Sequence, residues 1–254
     1  MSAHHSHPGA DSAGTPWAGR AFEQNAFSGD DGSASTELIA AIARFHTGDG
    51  GEREVVDALR GARLLIPLVA SLGESAMGEH GIQVDKKAEL AIVTVSGPDG
   101  RAVMPVFSDV AAMARWNPKA RPVPADGIRV ALAAANEGTD LVVLDPLSPT
   151  EFAVRRPALW AIAQSQPWVP SYRNPRVNAA FAASIDAIDD IADVSLAAGD
   201  PRAKLTAPEL VVELRLRPGL DREALTGLLG RVQALWSTNE TIATQVDSMT
   251  VRLS

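Results

Sequence analysis

Residues 90–108 of the sequence, LAIVTVSGPDGRAVMPVFS, decide the class of fold. Two runs rich in β-branched and apolar residues, Leu90–Val95 and Ala102–Phe107, flank the tetrapeptide Gly97-Pro98-Asp99-Gly100. Proline presets the backbone for a tight turn, and glycine accepts the positive φ that such turns require. The stretch therefore predicts a β-hairpin.

Helices and short strands alternate before this hairpin. Apolar residues recur at helical spacing over about Thr36–Phe45 and Glu52–Arg60, which predicts two amphipathic helices. The apolar run Leu64–Val69 predicts a buried strand, in which Pro67 indicates an edge or bulge position because proline cannot donate to a ladder. The segment 71–87 is rich in glycine and charge and is predicted to be a surface loop.

The same alternation continues after the hairpin. Ser108 is predicted to cap the start of a short helix. Arg121–Pro124 is predicted to be extended, because proline and pre-proline positions resist helix. The apolar run Leu141–Leu144 predicts a short buried strand that ends at Asp145-Pro146. Phe152–Val154 adds a further strand before a helix that opens at a proline.

The second half of the chain predicts a separate α+β layer. Prolines cluster over residues 166–178, and a helix–strand–strand–helix–strand order follows them. The predicted fold class is therefore α+β (mixed α/β), with two domains that each pack a mixed sheet against helices. In chain order we expect a disordered tail at 1–16, an N-terminal domain at 17–165 that includes an aromatic arm at 17–35, a linker at 166–178 and a smaller C-terminal domain at 179–254.

Composition restricts the functional classes. The sequence has no cysteine, which excludes disulfides, thiolate metal sites and cysteine nucleophiles. The net charge is −8 and only four residues are lysine, so neither nucleic acid nor an anionic membrane is an expected partner. No run reaches the ~20 apolar residues that span a bilayer. We expect a cytoplasmic protein with no cofactor.

Several motifs resemble the SseB family. The hairpin residues Arg101–Ser108 resemble the family's G-R-x-x-x-P-V-F-T/S motif, and Leu144-Asp145-Pro146 resembles its x-L-D-P segment. Trp17–Arg20 and Gly29–Gly32 look like the arm of its actinobacterial branch. The resemblance implies an SseB N-terminal domain over about 17–165 and an SseB-type C-terminal domain after residue 175. The family is named for a serine-sensitivity phenotype, and the resemblance supplies no catalytic residues.

The candidate binding residues lie near the predicted boundary between the domains. Trp168 stands among prolines and is interpreted either as an exposed anchor for a partner or as packing between the domains. Arg155 and Arg156 are placed at the edge of the same cleft. Asp145 joins this set because strand ends hold ligands in α/β proteins. As the partner we expect a protein or a small metabolite, and alanine at Trp168 and Arg156 is expected to leave the thermal midpoint nearly unchanged.

Three alternatives stay open. One is an enzyme or sensor for a small anionic metabolite such as an amino acid, with Asp145 as base and Arg121 or Arg129 orienting the substrate. Another is an N-terminal Cu(II) or Ni(II) site that uses the imidazole of His4 after removal of Met1. A third is a structural role as a homo-oligomer. The hypothesis that we favour is a non-catalytic binding or regulatory protein.

Overall fold

The computed structural model describes residues 30–71 and 89–254. The chain divides into two units, Met1–Asp31 and Gly32–Ser254, and every element below belongs to the second. The predicted tail with His4, residues 17–29 of the aromatic arm, and residues 72–87 of the predicted loop lie outside the described residues.

Helices and strands alternate through both parts of the described chain. The helices are α1 (Thr36–Thr47), α2 (Glu52–Gly61), α3 (Val110–Trp116), α4 (Gly127–Asn136), α5 (Arg156–Ala163), α6 (Pro175–Ile185), α7 (Arg222–Thr238) and α8 (Glu240–Gln245), with a 3₁₀ turn at Ser171–Arg173. The strands are β1 (Arg63–Ser71), β2 (Glu89–Ile92), β3 (Val95–Ser96), β4 (Ala102–Val106), β5 (Arg121–Asp126), β6 (Val142–Leu144), β7 (Phe152–Val154), β8 (Ile191–Ala198), β9 (Leu210–Leu216) and β10 (Met249–Leu253).

The predicted hairpin forms, but its first strand is shorter than expected. β3 pairs antiparallel with β4, and the turn is closed by the Gly97 N–H donating to the Arg101 carbonyl at 2.8 Å. The Gly100 N–H donates to the Gly97 carbonyl at 2.9 Å. The earlier part of the same apolar run forms β2 and pairs with β1 instead. One continuous sequence pattern is thus divided between two sheets.

These two sheets form the first half of the described chain. One has the strand order β3-β4-β6-β7, with β4 parallel to β6, and the other has the order β2-β1-β5. Reciprocal backbone hydrogen bonds between Leu65 and Phe107, at 2.8 and 3.0 Å, join them. The expectation that Pro67 marks an edge strand is wrong, because β1 is central. The ladder with β2 begins only at Leu68, so Pro67 removes no donor from it.

The cap of α3 also differs from its prediction. Asp109, not Ser108, is the N-cap residue, and its carboxylate accepts the Ala112 N–H at 2.6 Å. The Ser108 hydroxyl donates instead to Asp145 at 2.6 Å. The buried carboxylate of Asp145 satisfies this hydroxyl, which leaves the cap position to the next residue along the chain.

A three-stranded sheet with the order β10-β9-β8 forms the second half. β9 and β10 are parallel, and α7 and α8 connect them. Buried residues of α6, α7 and α8 pack with this sheet in one apolar cluster, in which the rings of Phe181 and Trp236 meet edge to face at 5.1 Å. A larger cluster fills the first half. The predicted α+β class is confirmed.

The predicted linker is an ordered part of the structure. It contains the 3₁₀ turn and the start of α6, and Trp168 within it belongs to the core cluster of the first half. Ala203, from the connection between β8 and β9, belongs to that cluster too, and its carbonyl accepts the Ala153 N–H at 2.7 Å. The division into two domains stays a prediction.

The contact between α2 and α4 gives a first testable prediction. A Cβ at Gly127 would lie 2.4 Å from the Leu59 carbonyl and 2.9 Å from the Arg60 Cα, and both are backbone atoms. Gly127→Ala should therefore lower the free energy of unfolding by about 1–3 kcal/mol, as overpacking does.

Gly227→Ala in α7 is the matched control, because its Cβ would meet no atom within 4 Å. It should raise the stability by roughly 0.5–1 kcal/mol through helix propensity. Urea denaturation of the two variants measures both values. Equal stability of the two variants would contradict this description of the helix contact.

Candidate binding cleft

Two adjacent arginines at the start of α5 reach across to the second half of the chain. Arg155 is the N-cap residue of α5 and Arg156 is its first residue. Both side chains contact residues beyond position 199. We call this set of contacts, between these two arginines and the segments 199–209 and 243–248, the seam.

Arg155 holds two buried carboxylates at the seam. Its guanidinium donates to Asp200 at 2.6 Å and to Asp247 at 3.1 Å. It also donates to the Ser248 hydroxyl at 3.2 Å and to the Ala207 carbonyl at 2.9 Å. The side chains of Arg155, Asp200 and Asp247 are 8%, 2% and 1% exposed. A pair this deep is strongly destabilised when one partner is removed, since a charge then stays buried alone.

Asp247 is shared with a second arginine. Both guanidinium nitrogens of Arg101, at 3.0 and 2.9 Å, donate to the two carboxylate oxygens of Asp247. Burial opposes the charge of this carboxylate, but Arg101 and Arg155 outweigh it and hold its pKa below the usual range. The turn of the hairpin is thereby tied to the segment just before β10.

Arg156 serves the other side of the seam. Its guanidinium donates to the carbonyls of Ala243 and Val246 at 3.0 and 2.9 Å, at the C-terminal end of α8. A cation is favourable at this end of a helix. The same guanidinium lies 5.2 Å from the ring centroid of Trp160, a cation–π distance. Arg156 therefore fixes α8 relative to α5.

The space between α5 and α8 is a cleft of about 790 Å³. One wall comes from α5 and the segment 164–169, and the other from the start of α6 and from α8. Trp160 stands in this cleft with 42% of its surface exposed. The other polar and charged residues of the lining are Gln164, Gln166, Asn174, Arg176, Glu240, Thr241, Thr244 and Gln245.

Two acids lie beside the seam, Glu209, which is buried, and Glu52, which is half-buried. The Glu209 carboxylate accepts the Asp247 N–H at 2.6 Å, and the Tyr172 hydroxyl donates to Glu52 at 3.3 Å. Burial and the charge of Glu209 raise the pKa of Glu52 to about 7. Burial also raises the pKa of Glu209. Burial and the charge of Glu52 raise the pKa of Tyr172 to about 12. The protonated form of Glu52 is thus stabilised in the folded chain at pH values below 7.

Asp145 lies apart from this cleft. Its carboxylate is buried and accepts the Ser108 N–H at 2.8 Å, the Ser108 hydroxyl at 2.6 Å and the Thr150 hydroxyl at 2.7 Å. It lines a separate cavity of about 200 Å³ together with Arg115 and Trp116. Arg129, one of the two arginines expected to accompany it, contacts Asp126 at 3.8 Å instead. The observed hydrogen bonds tie two loops together.

The structure brings three of the four predicted binding residues to one region. Arg155 and Arg156 form the seam, and Trp168 lines the adjacent cleft. Trp168 is only 7% exposed and packs in the core. This burial contradicts the interpretation of Trp168 as an exposed anchor. We now expect alanine at Trp168 to lower the thermal midpoint, because replacing a buried tryptophan costs roughly 3–5 kcal/mol.

Sequence reasoning missed the residues that complete the region. Trp160 stands at helical spacing with other apolar residues, which is typical of a core residue, yet it is exposed in the cleft. Asp200 and Asp247 are isolated acids in the sequence, and no local pattern connects them with Arg155. Their pairing depends on contacts across 45 and 92 residues.

Residues 30–71 and 89–254 give findings on a metal site and on a membrane span. In these ranges no group of three or more histidine, cysteine, aspartate or glutamate side chains could hold a metal ion. No helix there is long and apolar enough to cross a membrane. The candidate metal ligand His4 lies outside them.

The fold defines an α+β protein with two large and two small apolar clusters and a cleft between helices. Within it, residues 37–161 match the SseB protein N-terminal domain. This part of the chain, from α1 to α5, is therefore similar to an SseB protein N-terminal domain. Searches of curated proteins and of solved structures found no match. The C-terminal SseB-type domain and the actinobacterial branch stay predictions.

The pKa of Glu52 predicts how stability depends on pH. A carboxyl whose pKa rises from 4.5 to about 7 on folding keeps its proton up to a higher pH in the folded chain than in the unfolded chain. The native state then binds more protons, so stability falls as the pH rises from about 4.5 to 7. Glu52→Gln, which keeps an acceptor for Tyr172, should flatten this dependence and add about 1–3 kcal/mol at pH 8.

Glu54→Gln is a control in the same helical turn, because the pKa of Glu54 is shifted in the opposite direction to that of Glu52. Hydrogen bonds from its own N–H and from the Gly51 N–H lower the pKa of Glu54, and the latter bond is 2.8 Å long. Its contribution is present above pH 4.5 and is lost as the pH falls, so this variant should be less stable than the wild type at pH 8. Urea unfolding at several pH values checks both variants. An unchanged pH profile for Glu52→Gln would contradict the assignment.

Proposed function

We propose that this chain is a non-catalytic binding or regulatory protein that holds an extended segment of a protein partner in the cleft between α5 and α8. The observation that carries the proposal is the cleft itself. Its volume of about 790 Å³ falls in the ~300–1,000 Å³ range of ligand sites. The chain's place in the cell is proposed to be the cytoplasm.

The lining suits a peptide backbone. Side-chain amides of Gln164 and Gln166 line the cleft, and each offers both donors and an acceptor to the N–H and C=O groups of an extended chain. Gln245 adds its amide N–H groups, while its oxygen accepts from the Asn174 side chain at 3.5 Å. Trp160 supplies a half-exposed aromatic surface of the kind that anchors protein interfaces. Arg176 and Glu240 place opposite charges along the same lining, which can select the partner's charge pattern.

The seam supports this proposal through rigidity. Arg156 links the end of α8 to α5, and its guanidinium lies over the Trp160 ring at 5.2 Å. A binding surface on helices that are fixed in this way loses little conformational entropy when a partner docks. The two walls are thus held at their separation before a partner arrives.

The alternative is an enzyme or sensor for a small anionic metabolite. The observation in its favour is the cavity beside Asp145, where Arg115 supplies a cation. Its volume of about 200 Å³ lies below the ~300 Å³ at which ligand sites begin. The three hydrogen bonds of Asp145 also occupy both oxygens of the proposed base. We therefore favour the larger cleft.

Selected peptides test the proposal. Random peptides displayed on phage would be selected on the full chain, and their affinities measured with Trp160→Ala and Thr244→Arg, which alter opposite walls of the cleft. Both variants should weaken binding by at least about tenfold, as expected for an interface hot spot.

Leu132→Ala is the control, because Leu132 is 50% exposed on α4, which contributes nothing to the cleft lining. It should bind the selected peptides as the wild type does. Peptides that bind both cleft variants with unchanged affinity would contradict the proposal. If instead native mass spectrometry of protein isolated from its own cells shows a bound small molecule that is lost in Arg115→Ala, the metabolite alternative replaces it.

A further inference from the structure

The proposed function does not use the outer edge of the β10-β9-β8 sheet. Within residues 30–71 and 89–254 no strand pairs with the outer side of β10, which ends the order β10-β9-β8, and all five of its residues are exposed. An unpaired strand edge presents free N–H and C=O groups to any strand that fits. What fits this edge follows from its backbone, its side chains and its charges.

The backbone groups on the free edge belong to alternate residues. The Leu210 N–H donates to the Ser248 carbonyl at 3.0 Å, and the Ser254 N–H donates to the Leu214 carbonyl at 3.0 Å. Positions 248 and 254 therefore direct their backbone groups toward β9. Since direction alternates along a strand, Met249, Val251 and Leu253 direct their N–H and C=O groups to the free edge.

The side chains of the same three residues continue the core. In the parallel register Met249 is opposite Leu210, Val251 opposite Val212 and Leu253 opposite Leu214. Those three residues of β9 are fully buried in the apolar cluster. The three residues of β10 share their face but are 37–39% exposed. The apolar face of the sheet thus extends onto β10, where its side chains are only partly covered.

The two edges of this sheet differ in protection. β8 carries a register shift between Ile191 and Asp193, and the charged Asp193 pairs with Arg215 at 3.7 Å. Bulges and charges are the usual means of blocking an edge. β10 has regular pairing and no proline. Its charged residue, Arg252, is engaged by Glu213 at 2.7 Å.

We propose that β10 pairs antiparallel with β10 of a second copy of this chain, with Val251 on the two-fold axis. Val251 then faces its own equivalent, and Met249 of each copy faces Leu253 of the other. Each facing pair exchanges two backbone hydrogen bonds, so every outward N–H and C=O of β10 finds a partner. The two sheets become one continuous sheet, with the apolar side chains of both copies on one face.

The charges select this register over its neighbours. With Val251 on the axis, Arg252 faces Thr250 of the other copy. If the two-fold axis moved by one residue toward Leu253, Arg252 would face its own equivalent, and like charges directly opposite each other are unfavourable. If the axis moved toward Met249, fewer of the outward N–H and C=O groups of β10 would find a partner. A strand of the same length and apolar pattern is therefore the best complement to β10, and a second copy supplies it.

The size of the contact sets the expected affinity. One five-residue strand pair buries less than the ~1,200 Å² of a standard stable interface. The dimer should therefore dissociate on dilution, and its mass must be followed over concentration. Sedimentation of the full chain from about 5 to 500 µM, a span that covers micromolar dissociation constants, measures this.

Charge reversal at Val251 is the decisive experiment. Val251→Lys and Val251→Glu each place like charges face to face on the axis, so each variant alone should weaken association by at least about tenfold. An equimolar mixture of the two should regain dimer, because each pair then joins a lysine to a glutamate. Leu132→Lys and Leu132→Glu, at an exposed position of α4, should associate as the wild type does, alone or mixed.

A backbone variant keeps the test independent of side-chain charge. Val251→Pro removes an N–H that points away from β9, so the chain should fold and remain monomeric. A wild type that is monomeric at 500 µM would overturn the proposal. So would a dimer that Val251→Lys and Val251→Glu leave unchanged, or a mixture of these two that stays as monomeric as its components.

Discussion

The structure depends on one buried interaction, the contact of Arg155 with Asp200 and Asp247. Both carboxylates come from the second half of the chain, and Arg155 begins a helix of the first half. Moving these charges out of water is costly and is offset only when geometry and hydrogen bonding are good. The additional bonds of Arg155 to Ser248 and Ala207, and those of Asp200 to the Leu205 N–H and the Thr206 hydroxyl, meet this requirement. The two halves have little freedom to shift without leaving a buried charge alone.

The cleft follows from this constraint. Arg155 fixes the start of α5 against the segment before β10, and its neighbour Arg156 fixes the end of α8. The separation of the two walls is then set by residues that do not line the cleft. The charges of Arg101, Arg155, Asp200 and Asp247 are also balanced in number, while Glu52 and Glu209 beside them have raised pKa values. Among the described residues, Glu52 and Glu209 have no buried cation of their own, so burial raises their pKa values, as it does for any carboxyl that leaves water without a partner charge.

Local pattern predicted the elements of the fold well. The hairpin turn, α1, α2 and the strand before Asp145 depend on turn chemistry and on the spacing of apolar residues, and each forms close to its predicted position. Errors arose where tertiary contacts choose between local options. Ser108 and Asp109 can both cap α3, and the buried carboxylate of Asp145 decides between them. The short helix α8 has only six residues and was not predicted, because so few residues carry little periodic signal.

The location of the site could be predicted from the sequence, but the contacts that hold it together could not. Arg155, Arg156 and Trp168 were found from their position near the prolines at 166–178, which do lie beside the cleft. Their partners could not be found, because Asp200 and Asp247 look like ordinary surface acids when read along the sequence. Two tryptophans show the same limit, since Trp160 stands at the spacing of a core residue but is 42% exposed, while Trp168 stands among prolines and is 7% exposed. Burial of this kind is a property of the packed chain.

Native-state hydrogen exchange of Arg155→Met, compared with the wild type, tests most directly whether Arg155 couples the two halves. In the wild type, the most protected amides of β6 and β9 should exchange through one global opening with the same free energy. In the variant, β9 and β10 should open separately at a lower free energy while β6 keeps a higher one. Arg231→Met, which removes an exposed pair with Asp190, should change neither. Equal protection of β6 and β9 in Arg155→Met would contradict the central role of this residue.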